Sequence, residues 1–422
     1  MSTTHNRIPQ VAIAGYLLIQ HGVSTDRYCH RGDRLRCLSW TRGRHWIFNL
    51  VRPPAEDDDA IPIPIPDYQK SCNSKCTEEA NVAASCSPEL PRHYVANHLN
   101  GQTITVDGVL DDDAWKEVPW TENFMDIRGP QFPAPPVETK VKLRWDDQLL
   151  YVGAYLQEPH IWATMTEKDS RIYQENAFEV FFDVDNSMSM YKEIEINALG
   201  TTWDLILSRA YMDGGTGEDW EGIQQKGVYT DGAVNNATVP ATFWSIEMSF
   251  PFANLSQNTS RSDRPPVDGE MWFMILARPR YDVEALTNGS YQQKPGTEAS
   301  WYSWNPTGAV NLHLPSKWGL LFFETDAPSG QSKPVVDSKR WVTYQALFDV
   351  FNALKSFKAE RGTYVDVLTE LDLPLYVTSN TCLTTVNVTL AGDGFSVTIE
   401  SKKEPGVKGR INQNRYVTFS SD

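Results

Sequence analysis

Residues 175–185 read Glu-Asn-Ala-Phe-Glu-Val-Phe-Phe-Asp-Val-Asp, and residues 191–197 read Tyr-Lys-Glu-Ile-Glu-Ile-Asn. Both segments alternate apolar and polar residues, as half-buried strands do, and the Ser/Met turn between them predicts a hairpin. Its polar positions carry carboxylates and an amide without a Lys or Arg among them: Glu179, Asp183, Glu193, Glu195 and Asn197. Such a face suits sugar hydroxyls or a hard cation such as calcium.

Nine segments between residues 101 and 325 have the length and composition of strands, and turn residues separate several of them. The segments are 139–145, 149–156, 178–184, 191–198, 202–209, 222–229, 244–250, 272–278 and 318–324. Nine short strands without a long helix between them predict a mainly β fold, a β-sandwich, over residues 100–325.

The N-terminal flank, residues 1–99, is predicted to be a poorly ordered region that ends in a cysteine-containing lead-in. Residues 61–66 alternate isoleucine with proline, which prevents the hydrogen bonding of a central strand and favours an extended linker. The C-terminal flank, residues 326–422, begins with a second linker.

A small C-terminal helix plus a β-hairpin is predicted after this linker. Apolar residues recur at helical spacing over 339–361, and Gly362 ends the pattern. Residues 385–390 and 395–399 flank an Ala-Gly-Asp-Gly turn and form the hairpin. Because this tail is too small to bury much surface alone, we expect it to dock on the sandwich.

Composition disfavours two kinds of partner. The net charge of −16 and the isoelectric point near 5.0 argue against nucleic acid, whose phosphates favour basic surfaces, and against anionic membranes. Mean hydropathy is −0.43, and no apolar run approaches the ~20 residues that a spanning helix needs. We therefore expect neither nucleic-acid binding nor a membrane span.

The sequence predicts a secreted, extracellular glycoprotein. The six cysteines lack the spacing of a zinc site and favour disulfides, whose pairing the sequence leaves open. Five Asn-x-Ser/Thr acceptors lie in turn-like segments, at Asn236, Asn254, Asn258, Asn288 and Asn387. An apolar run at residues 11–19 is long enough for a signal segment, although no clear cleavage site follows it.

The chain resembles the family 9 carbohydrate-binding modules, and among them the family-9-like proteins. Besides the hairpin, five stretches carry the resemblance, in the expected order: 106–115, 141–152, 197–205, 301–308 and 311–319. The resemblance covers residues 100 to 325 and implies a β-sandwich similar to the DOMON fold. It also implies a module that recognises carbohydrate and accompanies polysaccharide breakdown.

The resemblance implies a terminal sugar held between two aromatic rings, with a glutamate on its hydroxyls. The glutamate matches Glu179 and the first ring matches Tyr173, whereas an arginine of the family is replaced by Glu195. The second ring position falls on Leu312, so a neighbouring tryptophan is the substitute candidate. The ligand-binding candidates are Tyr173, Glu179, Glu193, Glu195, Asn197, Trp301, Trp304 and His313.

Calcium is the predicted cofactor. Asp183 and Asp185 place carboxylates at short spacing in a turn, and the family that the chain resembles often holds structural calcium. The turn is not an EF-hand, because the position of its last glutamate falls on Ile194 and the invariant glycine is absent.

Three other functions stay open beside non-catalytic carbohydrate binding. The sandwich could be a structural or interaction scaffold without a sugar site. It could be a glycoside hydrolase acting on O-glycosyl bonds through Glu179 and either Glu193 or Glu195. It could also be a haem or electron-transfer module with His313 and a methionine from 188, 190 or 212 as axial ligands. No nucleophile elbow, Walker loop or HExxH favours an enzyme.

Overall fold

The computed structural model describes residue 86 and residues 88–326 and 339–421, together with two short strands nearer the N-terminus. The chain divides into two compact units, Met1–Ile65 and Pro66–Asp422. In the first unit, β1 (Cys29–His30) pairs antiparallel with β2 (Arg36–Cys37). The signal-like run and the proline linker predicted above lie outside the described residues, as do Cys72 and Cys76.

The second unit is built on one curled sheet of thirteen strands. In chain order these strands are β3 (His93–His98), β4 (Met125–Asp126), β5 (Thr139–Trp145), β6 (Leu149–Gln157), β7 (Ala177–Asp183), β8 (Tyr191–Asn197), β9 (Thr202–Leu207), β10 (Gly217–Asp219), β11 (Gln225–Asp231), β12 (Phe243–Pro251), β13 (Met271–Arg280), β16 (Ser300–Ser303) and β17 (Gly319–Glu324). Between them, β14 (Val283–Ala285) and β15 (Tyr291–Gln293) form a separate hairpin. The mainly β prediction is confirmed, and each of the nine predicted strands is present.

The strand order is β10-β9-β8-β7-β13-β17-β3-β5-β6-β12-β11. Neighbours are antiparallel except where β3 joins the two halves of the sheet, in parallel with β17 and β5. The sequence missed β3, because its polar residues hide the alternation of the buried Tyr94 and Ala96. The sandwich therefore starts before residue 100, inside the segment predicted to be poorly ordered.

The two halves of the sheet enclose one apolar core. Phe178 and Val180 of β7 lie in the same buried cluster as Val152 of β6 and Ile246 of β12. Alternation sends the neighbouring residues of β7 to the outer face. That face is also buried where Phe181 packs into a second apolar cluster with β13, β17 and the C-terminal region.

Four helices and four further strands complete the described structure. They are α1 (Asp113–Lys116), α2 (Phe252–Leu255), α3 (Trp341–Arg361), α4 (Leu375–Thr378), β18 (Leu383–Ala391), β19 (Gly394–Ser401), β20 (Val407–Asn412) and β21 (Val417–Ser421). Among the described residues, no helix has both the length and the apolar character needed to cross a membrane.

The C-terminal region is larger than the predicted helix and hairpin. Gly362 ends α3 with a left-handed φ of 82°, as expected. Strands β18 and β19 form the predicted hairpin, and β20 and β21 extend it to a four-stranded antiparallel sheet. The last two strands were missed because their sequence is rich in basic, hydroxyl and amide residues, and only a few positions such as Ile411 are buried.

This C-terminal region docks on the outer face of the sandwich. The ring of Phe273 on β13 lies 5.2 Å from that of Tyr344 and 6.2 Å from that of Phe348, both on α3. A disulfide joins Cys86, before β3, to Cys382, before β18. The tail is thus held both by apolar packing and by a covalent bond to the start of the sandwich.

Candidate functional site

Three glutamates of the predicted hairpin lie together on the outer face of the sheet. Glu179 of β7 is directly opposite Glu195 of β8, and Glu193 is opposite Phe181, two residues along the same face. The exposed fractions of Glu179, Glu193 and Glu195 are 1%, 5% and 2%. Alternation and register alone bring these carboxyls together, as the sequence predicts. Their side chains are, however, far less exposed than those of a solvated sheet face.

Burial and mutual repulsion favour the protonated forms of this carboxyl cluster, Glu179, Glu193 and Glu195. Burial raises the pKa of Glu193 to about 8. Burial and then the nearby charges of the other carboxyls raise the pKa values of Glu179 and Glu195 well above the usual range. No basic side chain of the described residues contributes to these shifts.

One oxygen of each carboxyl has no hydrogen-bond partner: Glu179 Oε1, Glu193 Oε2 and Glu195 Oε2. Buried polar atoms in native proteins are nearly always paired, so three such atoms in one place are unusual. They can be satisfied by a bound molecule that carries several hydroxyl groups.

A stacked pair of aromatic rings borders the carboxyl cluster. Tyr173 lies in a short helical turn before β7, and its backbone amide donates to Glu195. Its ring stacks on Trp203 of β9, with centroids 5.2 Å apart and planes inclined by 29°. Trp203 is the register partner of Glu195 and, like Tyr173, is half-buried. Trp203 was not predicted from the sequence. Its alternation with Leu205 on the third strand was a usable signal, because it places the indole on the same face as the carboxyls.

His313 lies next to this face but is already engaged. Its Nδ1 is 2.9 Å from the hydroxyl of Tyr191, and burial lowers its pKa to about 4, so the imidazole is neutral near pH 7. The ring of Tyr211, which is 47% exposed, meets the imidazole edge-on with centroids 4.5 Å apart.

The methionines that could pair with His313 as axial ligands of a haem lie in different environments. Met188 is buried in the outer apolar cluster and Met212 is 62% exposed.

The two tryptophan candidates for the second stacking ring lie on different sides of the sheet. Trp304 is fully buried in the core between the two halves, where its indole donates to Glu122 at 3.1 Å. Gly319 makes room for it, since a Cβ at that position would lie 2.6 Å from the indole ring. Trp301 packs with the outer apolar cluster and is half-buried. Only Trp301 therefore remains on the same face as the carboxyl cluster.

Asn197 is fully buried and fully hydrogen-bonded. Its amide donates to the Met165 carbonyl at 2.9 Å and to Glu175 at 2.7 Å, while its oxygen accepts from the backbone amides of Leu199 and Thr201. Its amide therefore fixes the segment that leads to Tyr173, and has no group left for a ligand.

The predicted calcium ligands serve a turn instead. Asp183 accepts from the backbone amides of Met188 and Ser187, and Asp185 accepts from Ser260 through both amide and hydroxyl. Burial raises the pKa of Asp183. Within the described part of the chain, no group of three His, Cys, Asp or Glu side chains is arranged to hold a metal ion. These residues do not fit a calcium site.

We accordingly expect the melting temperature to be insensitive to calcium. Each carboxylate is already occupied by hydrogen bonds, so the ion gains no free ligands. Thermal melts in excess EDTA and in millimolar calcium should coincide within about 1 °C. Binding to the native state alone would instead raise stability by about 2.7 kcal/mol at a hundredfold excess over Kd, so a clear upward shift with calcium would contradict this reading.

Fold and geometry together define a β-sandwich module with a carboxyl cluster and an aromatic border on one outer face. The family model described as carbohydrate family 9 binding domain-like matches residues 106–325. The match spans more than half of the chain, and the chain belongs to this family.

Several solved structures are similar to this chain. A family 9 carbohydrate-binding module from Caldicellulosiruptor kristjanssonii in complex with cellotriose is 16% identical, covering 58% of this chain and 99% of the module, with a TM-score of 0.35. A family 9 carbohydrate-binding module from the same organism in complex with glucose gives a TM-score of 0.34 at 16% identity, covering 58% of this chain and 100% of that module. A proposed carbohydrate-binding protein from Bacteroides uniformis is 12% identical, with coverages of 56% and 100% and a TM-score of 0.39. Among curated proteins, none matches.

Proposed function

We propose that this protein binds carbohydrate without cleaving it, through the carboxyl cluster and its aromatic border. The observation that carries the proposal is the set of three buried carboxyls, each with an unpartnered oxygen, beside the stacked rings of Tyr173 and Trp203. Aromatic rings pack on the C–H face of a sugar, while carboxyl oxygens hydrogen-bond its hydroxyls. Membership in a carbohydrate-binding family supports the same function.

Binding is favoured over glycoside hydrolysis by the placement of the carboxyls. Hydrolysis needs an acid and a base or nucleophile that flank the scissile bond. Glu179, Glu193 and Glu195 all project from one face of two adjacent strands, so a sugar would meet them from the same side. A role in polysaccharide breakdown would then be to hold the polymer near a separate hydrolase.

The aromatic border provides the first test of this proposal. We expect Trp203→Ala to weaken binding about five- to tenfold, because a stacking ring contributes on the order of 1 kcal/mol beyond its buried area. A glycan-array screen of the full chain identifies the sugars, and calorimetry on the strongest of them gives the affinity.

Trp120→Ala is the matched control, because Trp120 is also half-buried but packs beside Tyr155 and Lys140 on the other half of the sheet. The control should leave affinity unchanged. Equal affinities for the wild type and the Trp203 variant would place the site elsewhere, and an array without signal would favour the scaffold alternative.

We also propose that the protein is secreted. The disulfide between Cys86 and Cys382 requires an oxidising compartment, and Asn258, Asn288 and Asn387 are exposed acceptors for glycans. Expression in a mammalian secretory host should give a product whose mass falls on treatment with an N-glycosidase. An unchanged mass, together with six free thiols in denaturant, would contradict secretion.

A further inference from the structure

Arg415 occupies an unusual position at the turn between β20 and β21. Its backbone adopts a left-handed φ of 64°, and its side chain is only 4% exposed. Left-handed backbone is costly for a residue with a side chain, and a buried guanidinium is costly without partners. A residue that combines both features is held there by specific contacts.

The guanidinium of Arg415 reaches out of the C-terminal sheet into two loops of the sandwich. Its Nε donates to Asp213 at 2.7 Å, and its Nη1 donates to the Ser316 hydroxyl at 3.2 Å. The guanidinium also lies over the ring of Phe351 on α3, 4.3 Å from the centroid. Lys355 of α3 adds a second cation 3.4 Å from Asp213, whose side chain is 3% exposed.

Both loops carry residues that border the carboxyl cluster. Asp213 ends the short helical turn Tyr211–Asp213, which presents Tyr211 to the solvent beside His313. Ser316 lies in the turn Pro315–Lys317, three residues after His313. Glu193 and Glu195 are near enough to Tyr211 to raise the pKa of its phenol, after the larger effect of burial. The His313 ring also packs edge-on against Phe181, the register partner of Glu193, with centroids 5.6 Å apart. Because Tyr211 contacts His313, its ring lies at the edge of the same face.

We propose that Arg415 is a positioning residue for sugar binding: the C-terminal sheet fixes Tyr211 and His313 as a wall of the site by clamping Asp213 and Ser316. The wall lies beside the carboxyl cluster and limits the space for a ligand there. The clamp comes from residues 339–421, outside the segment that matches the family, so affinity depends on a part of the chain that a sandwich alone would lack. This inference rests on the proposed function.

The test compares Arg415→Gln with Arg410→Gln in the full chain. Arg410 is exposed on β20, so it provides the same substitution without the clamp. Affinity for the strongest sugar on the array, with D-glucose as the monosaccharide probe, is measured by calorimetry. We expect Arg415→Gln to weaken binding about tenfold and Arg410→Gln to leave it unchanged.

Hydrogen exchange supplies a readout that does not depend on the sugar. The amides of Asp213, Gly214 and Gly215 close the turn through bonds to the Ala210 and Tyr211 carbonyls. Their exchange should accelerate at least tenfold in Arg415→Gln, while the amides paired between β18 and β19 keep wild-type rates.

The milder variant Asp213→Asn keeps a hydrogen-bond acceptor and covers the case in which Arg415→Gln does not fold. It should also weaken sugar binding and accelerate the exchange of residues 213–215.

Two outcomes overturn the inference alone: unchanged exchange of the turn, or faster exchange with wild-type affinity for the sugar. If the wild type binds no sugar on the array, the proposed function fails and the inference fails with it. Loss of affinity together with faster exchange of residues 213–215 supports the inference.

Discussion

Replacing Glu158 by glutamine is expected to reduce the free energy of unfolding by about 3–5 kcal/mol, the usual cost of breaking a buried ion pair from one side. Glu158 accepts from Arg278 at 2.7 Å and from Arg280 at 2.9 Å. The side chains of Arg278 and Glu158 are 0% and 1% exposed. The substitution leaves the Arg278 guanidinium buried without its counter-ion, while burial already lowers the pKa of Arg278 to about 10.

Glu138→Gln is the matched control for this prediction. Glu138 accepts from Lys140 at 3.0 Å, but it is 36% exposed, so its loss should cost at most about 1 kcal/mol. Urea unfolding of the two variants and the wild type measures the difference. If Glu158→Gln costs no more than Glu138→Gln, the buried ion pair contributes no more to stability than the exposed one.

A fall in stability between pH 5 and pH 8 is the second large effect that we expect. The pKa values of the carboxyl cluster are raised in the folded state, to about 8 for Glu193, whereas the unfolded value is about 4.5. The folded protein therefore binds more protons than the unfolded chain across this range. The contribution of these carboxyls to the free energy of unfolding is therefore complete below pH 4.5 and is lost as the pH rises through 8. The loss is up to about 1.4 kcal/mol per pH unit for each such group.

Glu193→Gln should flatten this pH dependence and should be more stable than the wild type at pH 8. Glutamine keeps the shape of the protonated acid and cannot ionise in the buried face. Glu218→Gln on β10 provides the control, because Glu218 is exposed. Melting temperatures at half-unit steps of pH measure the effect. Parallel curves for the wild type and Glu193→Gln would mean that the carboxyl is ionised without cost.

The fold could be predicted because its information is local. Alternation in β7 and β8 sets both the hairpin and the shared face of Glu179, Glu193 and Glu195. Strand β3 was missed because its own residues are mostly polar and because its partner β17 lies more than 200 positions away along the chain. Strands β20 and β21 were missed because their few buried positions, such as Ile411 and Val417, are apolar only where they pack in the cluster that contains α3.

The site could be predicted only in part, because the sequence does not say what covers a face. Trp304 is a candidate stacking ring in the sequence, but its indole fills the core against Gly319. Trp203 meets Tyr173 through pairing between strands, and Arg415 meets Asp213 through docking of the tail. Such contacts depend on the assembled fold and leave no short-range pattern.

Calorimetric titration of D-glucose and of the strongest sugar on the array into the wild type and Glu179→Leu tests the central claim most directly. Leucine fills the buried position with an apolar side chain of similar size and removes both carboxyl oxygens. We expect measurable wild-type binding that Glu179→Leu weakens at least about fivefold, since the loss of one buried hydrogen-bond partner costs about 1–3 kcal/mol. Glu218→Leu, on the exposed strand β10, should bind as the wild type does. Wild-type affinity in Glu179→Leu would contradict the claim that the carboxyl cluster holds the sugar.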